Sequence, residues 1–283
     1  MALEGIFLDF RKTLAPAHGQ SEADAIFFVV LEFLTGMNRT QFFVNRQHQV
    51  SSDITDQFFN FLMRLSRNEP LQYVLGEAWF YGRKFLVDSN VLIPRPETEE
   101  LIGLVKRVCQ PGARIIDLGT GSGCIAVTLA LECDNVSVTA LDVSEGALNI
   151  ARQNARNYEA QVLFSQKNIL SPFVTKEKFD IIVSNPPYVT ELEKSQMKPN
   201  VLDHEPELAL FVPNDNPLRF YSGIYMLAKK NLSPNGWVIV ETNEKFGKKT
   251  AALFSLEFKN IEIIKDINNK DRFVMAQSQS GTF

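Results

Sequence analysis

The segment Asp117-Leu118-Gly119-Thr120-Gly121-Ser122-Gly123 follows an apolar stretch and precedes the helix-like stretch Cys124–Glu132. Glycine lets a backbone turn sharply and approach a ligand without interference from a Cβ atom. The spacing G-x-G-x-G differs from the G-x-G-x-x-G of dinucleotide sites, which disfavours a nicotinamide or flavin cofactor. The segment therefore indicates either a ligand-binding loop or a tight strand-to-helix turn without a ligand.

From about residue 97 onward, helix-like and strand-like stretches alternate, as a parallel sheet with crossover helices requires. Apolar and β-branched runs predict seven strands, at Arg114–Leu118, Ser137–Asp142, Val162–Gln166, Asp180–Ser184, Trp237–Thr242, Ile261–Asp266 and Arg272–Ala276. The short polar turn at 267–271 predicts that the last two strands pair antiparallel at one edge. The predicted fold class is therefore α/β, with a mostly parallel seven-stranded sheet.

The residues before this sheet predict a different organisation. Helical periodicity predicts a small helical domain at 1–75, with Ser21 and Asp53 as N-caps and Gly36 as the end of one helix. The stretch Trp79–Ile93 predicts a β-hairpin, so that 76–93 links the helical domain to a domain at 94–277. Residues 278–283 are expected to be a flexible tail.

Composition narrows the classes of function. The chain has 283 residues, 45% of them apolar, which predicts a globular protein. A net charge of −4 argues against extensive phosphate contact, so we expect no stable nucleic-acid binding. The three cysteines and three histidines have no metal-ligand spacing, so we expect reduced thiols and no metal. The apolar run at 25–34 is too short to cross a bilayer and lacks signal-peptide flanks, so we expect a cytoplasmic protein without membrane contact.

A carboxylate ends the second predicted strand. Asp142 lies 19 residues after Gly123, where it can accept hydrogen bonds from both hydroxyls of a ribose. The alternative is that Asp142 caps the following helix, a role that Ser144 can also fill. Together with the glycine loop, Asp142 favours a nucleoside ligand.

A second motif, Asn185-Pro186-Pro187-Tyr188, follows the predicted strand Asp180–Ser184. In an open parallel sheet ligands bind at the carboxyl ends of the strands, so this loop is expected to face the same crevice as the glycine loop. A plain turn at the end of a buried strand is the alternative.

The chemistry of this motif suits an amide or exocyclic amine. Such a nitrogen must lose planarity before it attacks a sulfonium methyl group, and two acceptors placed tetrahedrally around its hydrogens favour that geometry. The side-chain oxygen of Asn185 and the main-chain carbonyl of Pro186 can be these acceptors. The two prolines fix the backbone, and Tyr188 offers a flat face to a planar group.

Further motifs carry a family resemblance. Leu92-Ile93-Pro94-Arg95-Pro96-Glu97-Thr98-Glu99, together with Pro70-Leu71-Gln72-Tyr73-Val74-Leu75-Gly76, resembles the PrmC/HemK family, the protein-(glutamine-N5) methyltransferases of peptide chain release factors. The resemblance covers about residues 64–276 closely and the N-terminus loosely. It implies a class I, Rossmann-like methyltransferase domain preceded by a small helical domain that recognises the partner.

The resemblance also implies a cofactor, a substrate and site residues. S-adenosylmethionine would donate a methyl group to the glutamine of a Gly-Gly-Gln loop in a release factor and leave as S-adenosylhomocysteine; the protein is expected to be a monomer. The cofactor-binding residues implied are Asp117, Gly119, Thr120, Gly121, Ser122, Gly123, Asp142, Asn168, Ile169 and Asn185. The catalytic residues implied are Asn185, Pro186, Pro187 and Tyr188. The pocket wall implied is Pro94, Arg95, Pro96, Glu97 and Thr98, although a structural ion pair of Arg95 and Glu97 is the alternative.

Three positions depart from the family pattern. Asn168 stands where many relatives carry Asp, the run 241–244 replaces Glu-His-Gly, and the run 214–217 lacks a glycine. Two other functions stay open: methylation of the amino group of adenine or guanine in nucleic acid, and a non-catalytic binding protein with a vestigial nucleoside pocket.

Overall fold

The computed structural model describes residues 1–171 and 177–279. The chain divides into two compact units. Unit 1 comprises Met1–Gly76 and Lys198–His204, and unit 2 comprises Glu77–Met197 and Glu205–Phe283.

Unit 1 is built of helices around an aromatic core. Its helices are α1 (Leu3–His18), α2 (Gln20–Thr35), α3 (Arg39–Asn45), α4 (Ser52–Leu65), α5 (Leu71–Leu75) and α9 (Pro199–Leu202). Phe10, Phe27, Phe42 and Phe58 are each at most 1% exposed. Their rings meet largely edge to face, as for Phe10 and Phe27 at 5.4 Å, which is a favoured arrangement of aromatic quadrupoles.

The predicted helix boundaries in this unit hold only in part. Gly36 ends α2 in the left-handed conformation, as predicted. Ser21 is not a cap, because α2 begins at Gln20 after Gly19. The prediction that Asp53 caps α4 is also wrong. The N-cap is Ser51, whose side chain accepts a hydrogen bond from the Ile54 amide. Asp53 lies in the first turn of the helix, where the helix dipole stabilises a carboxylate.

Unit 2 contains the sheet and its helices. Its strands are β1 (Glu77–Phe80), β2 (Arg83–Leu86), β3 (Arg114–Leu118), β4 (Ser137–Asp142), β5 (Val162–Gln166), β6 (Phe179–Ser184), β7 (Val189–Thr190), β8 (Phe211–Val212), β9 (Leu232–Glu241), β10 (Lys259–Lys265) and β11 (Asp271–Gln277). Its helices are α6 (Glu99–Val108), α7 (Cys124–Glu132), α8 (Glu145–Asn157), α10 (Glu207–Leu210), α11 (Arg219–Asn231) and α12 (Gly247–Phe254), with 3₁₀ turns at Pro96–Thr98 and Glu191–Gln196.

The large sheet has seven strands in the order β10-β11-β9-β6-β3-β4-β5. The five consecutive strands β9, β6, β3, β4 and β5 run parallel to one another. Strand β11 pairs antiparallel with both of its neighbours, β9 and β10. The predicted fold class and the antiparallel pairing of the last two strands are thus confirmed. Successive residues of a strand point to opposite faces of the sheet. On β3, Ile115 packs with α6 and α7 on one face, and Ile116 packs with α11 on the other.

Two predicted elements have a boundary that differs from the structure by more than two residues. Strand β9 begins at Leu232 rather than Trp237, because a bulge against β6 accommodates the Ser-Pro-Asn-Gly residues that look like a turn in the sequence. The hairpin is shorter than predicted: β1 and β2 turn at Tyr81-Gly82, and 87–93 form no strand. Phe80 and Phe85 from this hairpin are fully buried in the core of unit 2.

The first residue of the predicted tail is buried against β9. Ser278 is 4% exposed, and its amide and hydroxyl donate to the carbonyl oxygens of Gly236 and Ser233. Gln279 is exposed, and residues 280–283 of the predicted tail lie outside the described residues. In the described ranges, none of the helices combines the length and the apolar character that crossing a bilayer would take. Within the same ranges, no three His, Cys, Asp or Glu side chains gather as metal ligands would.

Candidate active site

One cavity in unit 2 lies at the carboxyl ends of several parallel strands of the sheet. Twelve of the residues predicted for the site line it: Pro94, Arg95, Thr98, Gly119, Thr120, Gly121, Ser122, Asp142, Asn168, Ile169, Asn185 and Pro187. The glycine loop after β3 and the Asn-Pro-Pro-Tyr loop after β6 therefore open into the same space, because β3 and β6 are parallel neighbours.

The glycines of the loop serve two different purposes. Gly119 and Gly121 have φ of +74° and +54°, and a Cβ atom on either would meet nothing within 4 Å. Backbone conformation alone requires glycine there, and the loop surface stays open to the cavity. Gly123 has φ +80°, and a Cβ atom on it would lie 3.0 Å from the Cβ of Ala151. Gly123 is thus also required for the close packing of α7 on α8, and it does not line the cavity.

Asp117 lies below the loop and not in the cavity wall. The side chain is fully buried, and its Oδ2 accepts a hydrogen bond of 2.6 Å from the Thr120 hydroxyl. Within the described part of the chain its Oδ1 makes no hydrogen bond of standard geometry, although the backbone amide of Ala126 is near enough to lower the pKa of the carboxyl. Burial raises the pKa of Asp117 to about 7, against the hydrogen bond from Thr120, which lowers it.

Asp142 holds the glycine loop while facing the cavity. Its Oδ2 accepts from the Gly121 amide and its Oδ1 from the Ser144 amide, both at 2.9 Å. Ser144, not Asp142, is the side-chain cap of α8, since its hydroxyl accepts from the Ala147 amide. Burial raises the pKa of Asp142, and the backbone donors lower it. Each carboxylate oxygen has a second acceptor position, which leaves capacity for a diol.

The loop after β5 forms the next part of the wall. Asn168 and Ile169 both line the cavity. The side-chain oxygen of Asn168 accepts a hydrogen bond of 2.9 Å from the amide of Leu170, an Asx turn that shapes the loop itself. Asp at this position could accept the same bond, so the departure from the family pattern is compatible with the same loop.

A buried hydrogen-bond network lies behind Asn185. The Nδ2 of Asn185 is 3.1 Å from the hydroxyl of Thr98, and that hydroxyl donates to Glu241 over 2.7 Å. The Tyr188 hydroxyl donates to the other carboxylate oxygen of Glu241 over 2.9 Å. Burial, reinforced by the charge of Glu241, raises the pKa of Tyr188 well above its ordinary value. Tyr188 and Pro186 do not line the cavity.

The wall at 94–98 is fixed by a residue far along the chain. Arg95 pairs with Glu205 over 2.7 Å, and Glu205 has only 1% of its side chain exposed. The second oxygen of Glu205 also accepts from the Ile93 amide at 3.3 Å. Arg95 thus forms a structural ion pair, but its partner is Glu205 and not the Glu97 of the alternative interpretation. Pro96 and Glu97 lie outside the cavity lining.

Sequence reasoning missed three residues that hold this site. They are Glu205, Glu241 and Asn154, each buried and hydrogen-bonded to a loop of the site. The side-chain nitrogen of Asn154 donates to the carbonyl oxygens of Ser122 and Leu86, and its side-chain oxygen accepts from the Leu86 amide. Its spacing from Ala147 and Ala151 on the apolar face of α8 was a readable signal of burial. For Glu241 the signal was an acidic residue ending an apolar strand.

The other two departures from the family pattern, at 214–217 and 241–244, both contact the 3₁₀ turn Glu191–Gln196. Asn214 accepts a hydrogen bond from the Leu192 amide at 3.0 Å, and the amide of Asn243 lies 3.3 Å from Glu193. Lys245 also donates to Glu193, at 2.8 Å. Both unusual asparagines thus brace the 3₁₀ turn Glu191–Gln196, which follows the Asn-Pro-Pro-Tyr loop.

Two family models match separate parts of the chain. A family model described as "PrmC N-terminal domain" matches residues 8–76, and one described as "Methyltransferase small domain" matches residues 101–204. A crystal structure of a methyltransferase from Pyrococcus furiosus aligns with a TM-score of 0.54 at 18% identity, over 78% of this chain and 98% of that chain. That likeness supports the fold.

Full-length relatives identify the family. A release factor glutamine methyltransferase of Bacteroides thetaiotaomicron is 40% identical over 94% of this chain and 96% of that protein. One from Flavobacterium psychrophilum is 40% identical over 97% of this chain and 98% of that protein, and one from Bacillus subtilis is 38% identical over 88% and 89%. Because these matches extend over nearly the whole chain, it belongs to the family of release factor glutamine methyltransferases.

Proposed function

We propose that this protein transfers the methyl group of S-adenosylmethionine to the side-chain amide nitrogen of a glutamine in a peptide chain release factor. The observation that carries the proposal is the single cavity that holds both the glycine loop and Asn185. A nucleoside site and an amide-binding group must share one space for a methyl group to pass directly between them.

The residues of the cavity fit the cofactor. Gly119 and Gly121 keep the loop backbone open to the cavity, and Asp142 presents a carboxylate at the distance along the chain expected for a ribose partner. Ile125, Val143 and Ile169 add apolar wall, which suits an adenine ring. When bound, S-adenosylmethionine supplies an electrophilic sulfonium methyl group.

The side chains around the second substrate then act by position. The Oδ1 of Asn185 and the carbonyl oxygen of Pro186 accept the two hydrogens of the glutamine amide and favour the pyramidal nitrogen of the transition state. No strong base is required, because the nitrogen becomes acidic once it is methylated. The amide nitrogen of Asn185 is held by Thr98, which leaves Oδ1 available for this task.

Several finer points belong to the same proposal. Unit 1 recognises the release factor, whose Gly-Gly-Gln loop lets the glutamine enter a narrow pocket because glycine neighbours allow close backbone approach. The protein acts in the cytoplasm as a monomer. The match of the family model described as "PrmC N-terminal domain" to residues 8–76 supports the role of unit 1.

Methyl transfer to a release factor tests the proposal directly. Incubation with labelled S-adenosylmethionine and purified release factors, followed by peptide mass spectrometry, should place one methyl group on a glutamine side chain. A release factor with that glutamine changed to asparagine is the substrate control. Label on nucleic acid, or none on glutamine, would reject the proposal.

Two variants separate the roles of the two loops. Asn185→Ala should lower kcat about 100-fold or more with cofactor affinity nearly intact, as expected for loss of a transition-state contact. Asp142→Ala should weaken cofactor binding first, measured by isothermal titration. Asp134→Ala is the matched control, because Asp134 is exposed at the opposite end of β4. Near-normal turnover in Asn185→Ala would contradict the role of that side chain.

A further inference from the structure

Glu241 connects parts of the site that lie far apart in the sequence. It is the last residue of β9 and is 1% exposed. Its two carboxylate oxygens accept from Thr98, before α6, and from Tyr188, after β6. One buried carboxylate thus holds a residue of the cavity wall and a residue of the Asn-Pro-Pro-Tyr loop.

The directions of these hydrogen bonds determine how Asn185 is oriented. An ionised carboxylate only accepts hydrogen bonds, so the single hydroxyl hydrogen of Thr98 goes to Glu241. The Thr98 oxygen can then only accept, which means that the group of Asn185 facing it at 3.1 Å is the amide nitrogen. Among residues 1–171 and 177–279, no donor reaches the amide oxygen of Asn185.

The surroundings of Glu241 act on its carboxyl in two directions. Its pKa is raised above the ordinary value, chiefly by burial and also by the charge of Glu97, while the hydrogen bonds from Thr98 and Tyr188 and the positive charge of Arg272 lower it. Arg272 is itself fixed by Asp266, at 2.9 Å. Two hydroxyl donors and a nearby guanidinium are the partners that a buried carboxylate requires.

We propose that Glu241 is a positioning residue for the methyl transfer: through the Thr98 hydroxyl, it keeps the amide oxygen rather than the amide nitrogen of Asn185 turned toward the substrate amide. This inference rests on the proposed function, because orientation matters only if that oxygen accepts a substrate hydrogen. An asparagine amide is nearly symmetric in shape, so without Thr98 nothing distinguishes its two orientations. In the reversed orientation, a donor would face the donor of the substrate.

The test removes the link without changing its volume. In Thr98→Val, valine has nearly the shape of threonine but no hydroxyl. In Glu241→Gln, the side-chain oxygen of glutamine can accept from only one of the Thr98 and Tyr188 hydroxyls, and its NH₂ group faces the other as a donor. Both variants should lower kcat on a release factor about 10-fold or more, with the Kd for S-adenosylmethionine changed less than about twofold. Thr98→Ser restores the hydroxyl and should recover part of the loss seen in Thr98→Val.

A matched control separates positioning from loss of stability. Thr250 is fully buried on α12, and its hydroxyl makes no hydrogen bond with the described residues. Thr250→Val therefore removes a buried hydroxyl outside the site and should leave kcat unchanged.

A double-mutant cycle gives the deciding measurement. If Thr98 acts through Asn185, then Thr98→Val should cost nothing further in kcat once Asn185 is alanine. Glu241→Gln should likewise cause no further loss of kcat in the Asn185→Ala background, except for any loss that comes from its hydrogen bond with Tyr188. Additive losses for Thr98→Val in an active chain would reject this inference and leave the proposed function intact. A wild-type chain that methylates no release factor would reject both.

Discussion

At the scale of single residues, the site is held by buried polar side chains. Asp117, Glu205 and Glu241 are each at most 4% exposed, and each contacts a loop at the carboxyl edge of the sheet. Buried carboxylates are costly unless donors surround them, so they occur where geometry must be maintained. Asp117 is fully buried, and this burial has a measurable consequence.

Asp117 should make the stability of unit 2 fall as the pH rises. Its folded pKa is about 7 against an ordinary 3.8, so between these values the folded state binds more protons than the unfolded state. The free energy of unfolding should therefore fall between pH 5 and pH 8 by roughly 2–3 kcal/mol more in the wild type than in Asp117→Asn. Urea unfolding without cofactor, followed by the fluorescence of Trp79 and Trp237, measures it, because both tryptophans lie in unit 2.

The control for this titration is another aspartate of the same unit. Asp134→Asn changes an exposed carboxylate near the amino end of β4 and should leave the pH dependence as in the wild type. If Asp117→Asn kept the wild-type slope, the carboxyl would be titrating at its ordinary pH despite burial.

At the scale of elements, the glycine loop depends on how closely α7 and α8 approach. Gly123 precedes α7 in a left-handed conformation, and the Ala151 Cβ lies where its own Cβ would need space. Asn154, one turn further along α8, accepts from Leu86 and donates to Ser122. The helix pair therefore places the loop, and the loop places the cavity wall.

Gly123→Ala should destabilise unit 2 by about 2–4 kcal/mol, because it combines left-handed strain of about 1–2 kcal/mol with a clash against Ala151. Gly112→Ala separates the two causes: Gly112 has φ +82° but nothing within 4 Å of a Cβ atom. It should show the strain alone, about 1–2 kcal/mol. Tryptophan-detected urea unfolding of both variants checks this. Equal losses would mean that α8 moves away to accommodate the added methyl group.

At the scale of the whole molecule, charge distinguishes the proposed substrate from nucleic acid. The chain has 29 basic and 33 acidic residues, a net charge of −4. Affinity for nucleic acid depends strongly on neutralising backbone phosphates. An excess of acidic residues therefore favours a protein substrate over a base amine in DNA or RNA.

Binding to nucleic acid should accordingly be weak. For short single-stranded RNA and DNA in about 0.15 M salt, fluorescence anisotropy should give a Kd above about 10 µM. A basic, nucleic-acid-binding protein of similar size serves as the positive control. Low-micromolar binding that weakens steeply between about 50 and 200 mM salt would instead support methylation of an exocyclic base amine.

Much of the fold could be predicted from local patterns. The seven strands, the antiparallel edge pair and the strand-turn-helix at Gly119–Gly123 follow from periodicity and turn residues, which act over a few neighbours in the chain. The predictions failed where a local signal was ambiguous. Pro234 and Asn235 look like a turn but are part of a bulge in β9, and Ser21 and Asp53 look like caps but lie within helices.

The sequence by itself determined the fold class, the family resemblance and which loops carry the chemistry, because these depend on residue type and spacing. Only the tertiary structure decided which side chains support those loops. Glu205 reaches Arg95 across 110 positions, and Glu241 reaches Thr98 across 143. Such pairings depend on which segments the fold brings side by side, and this is set by the packing of the whole unit and not by any local pattern.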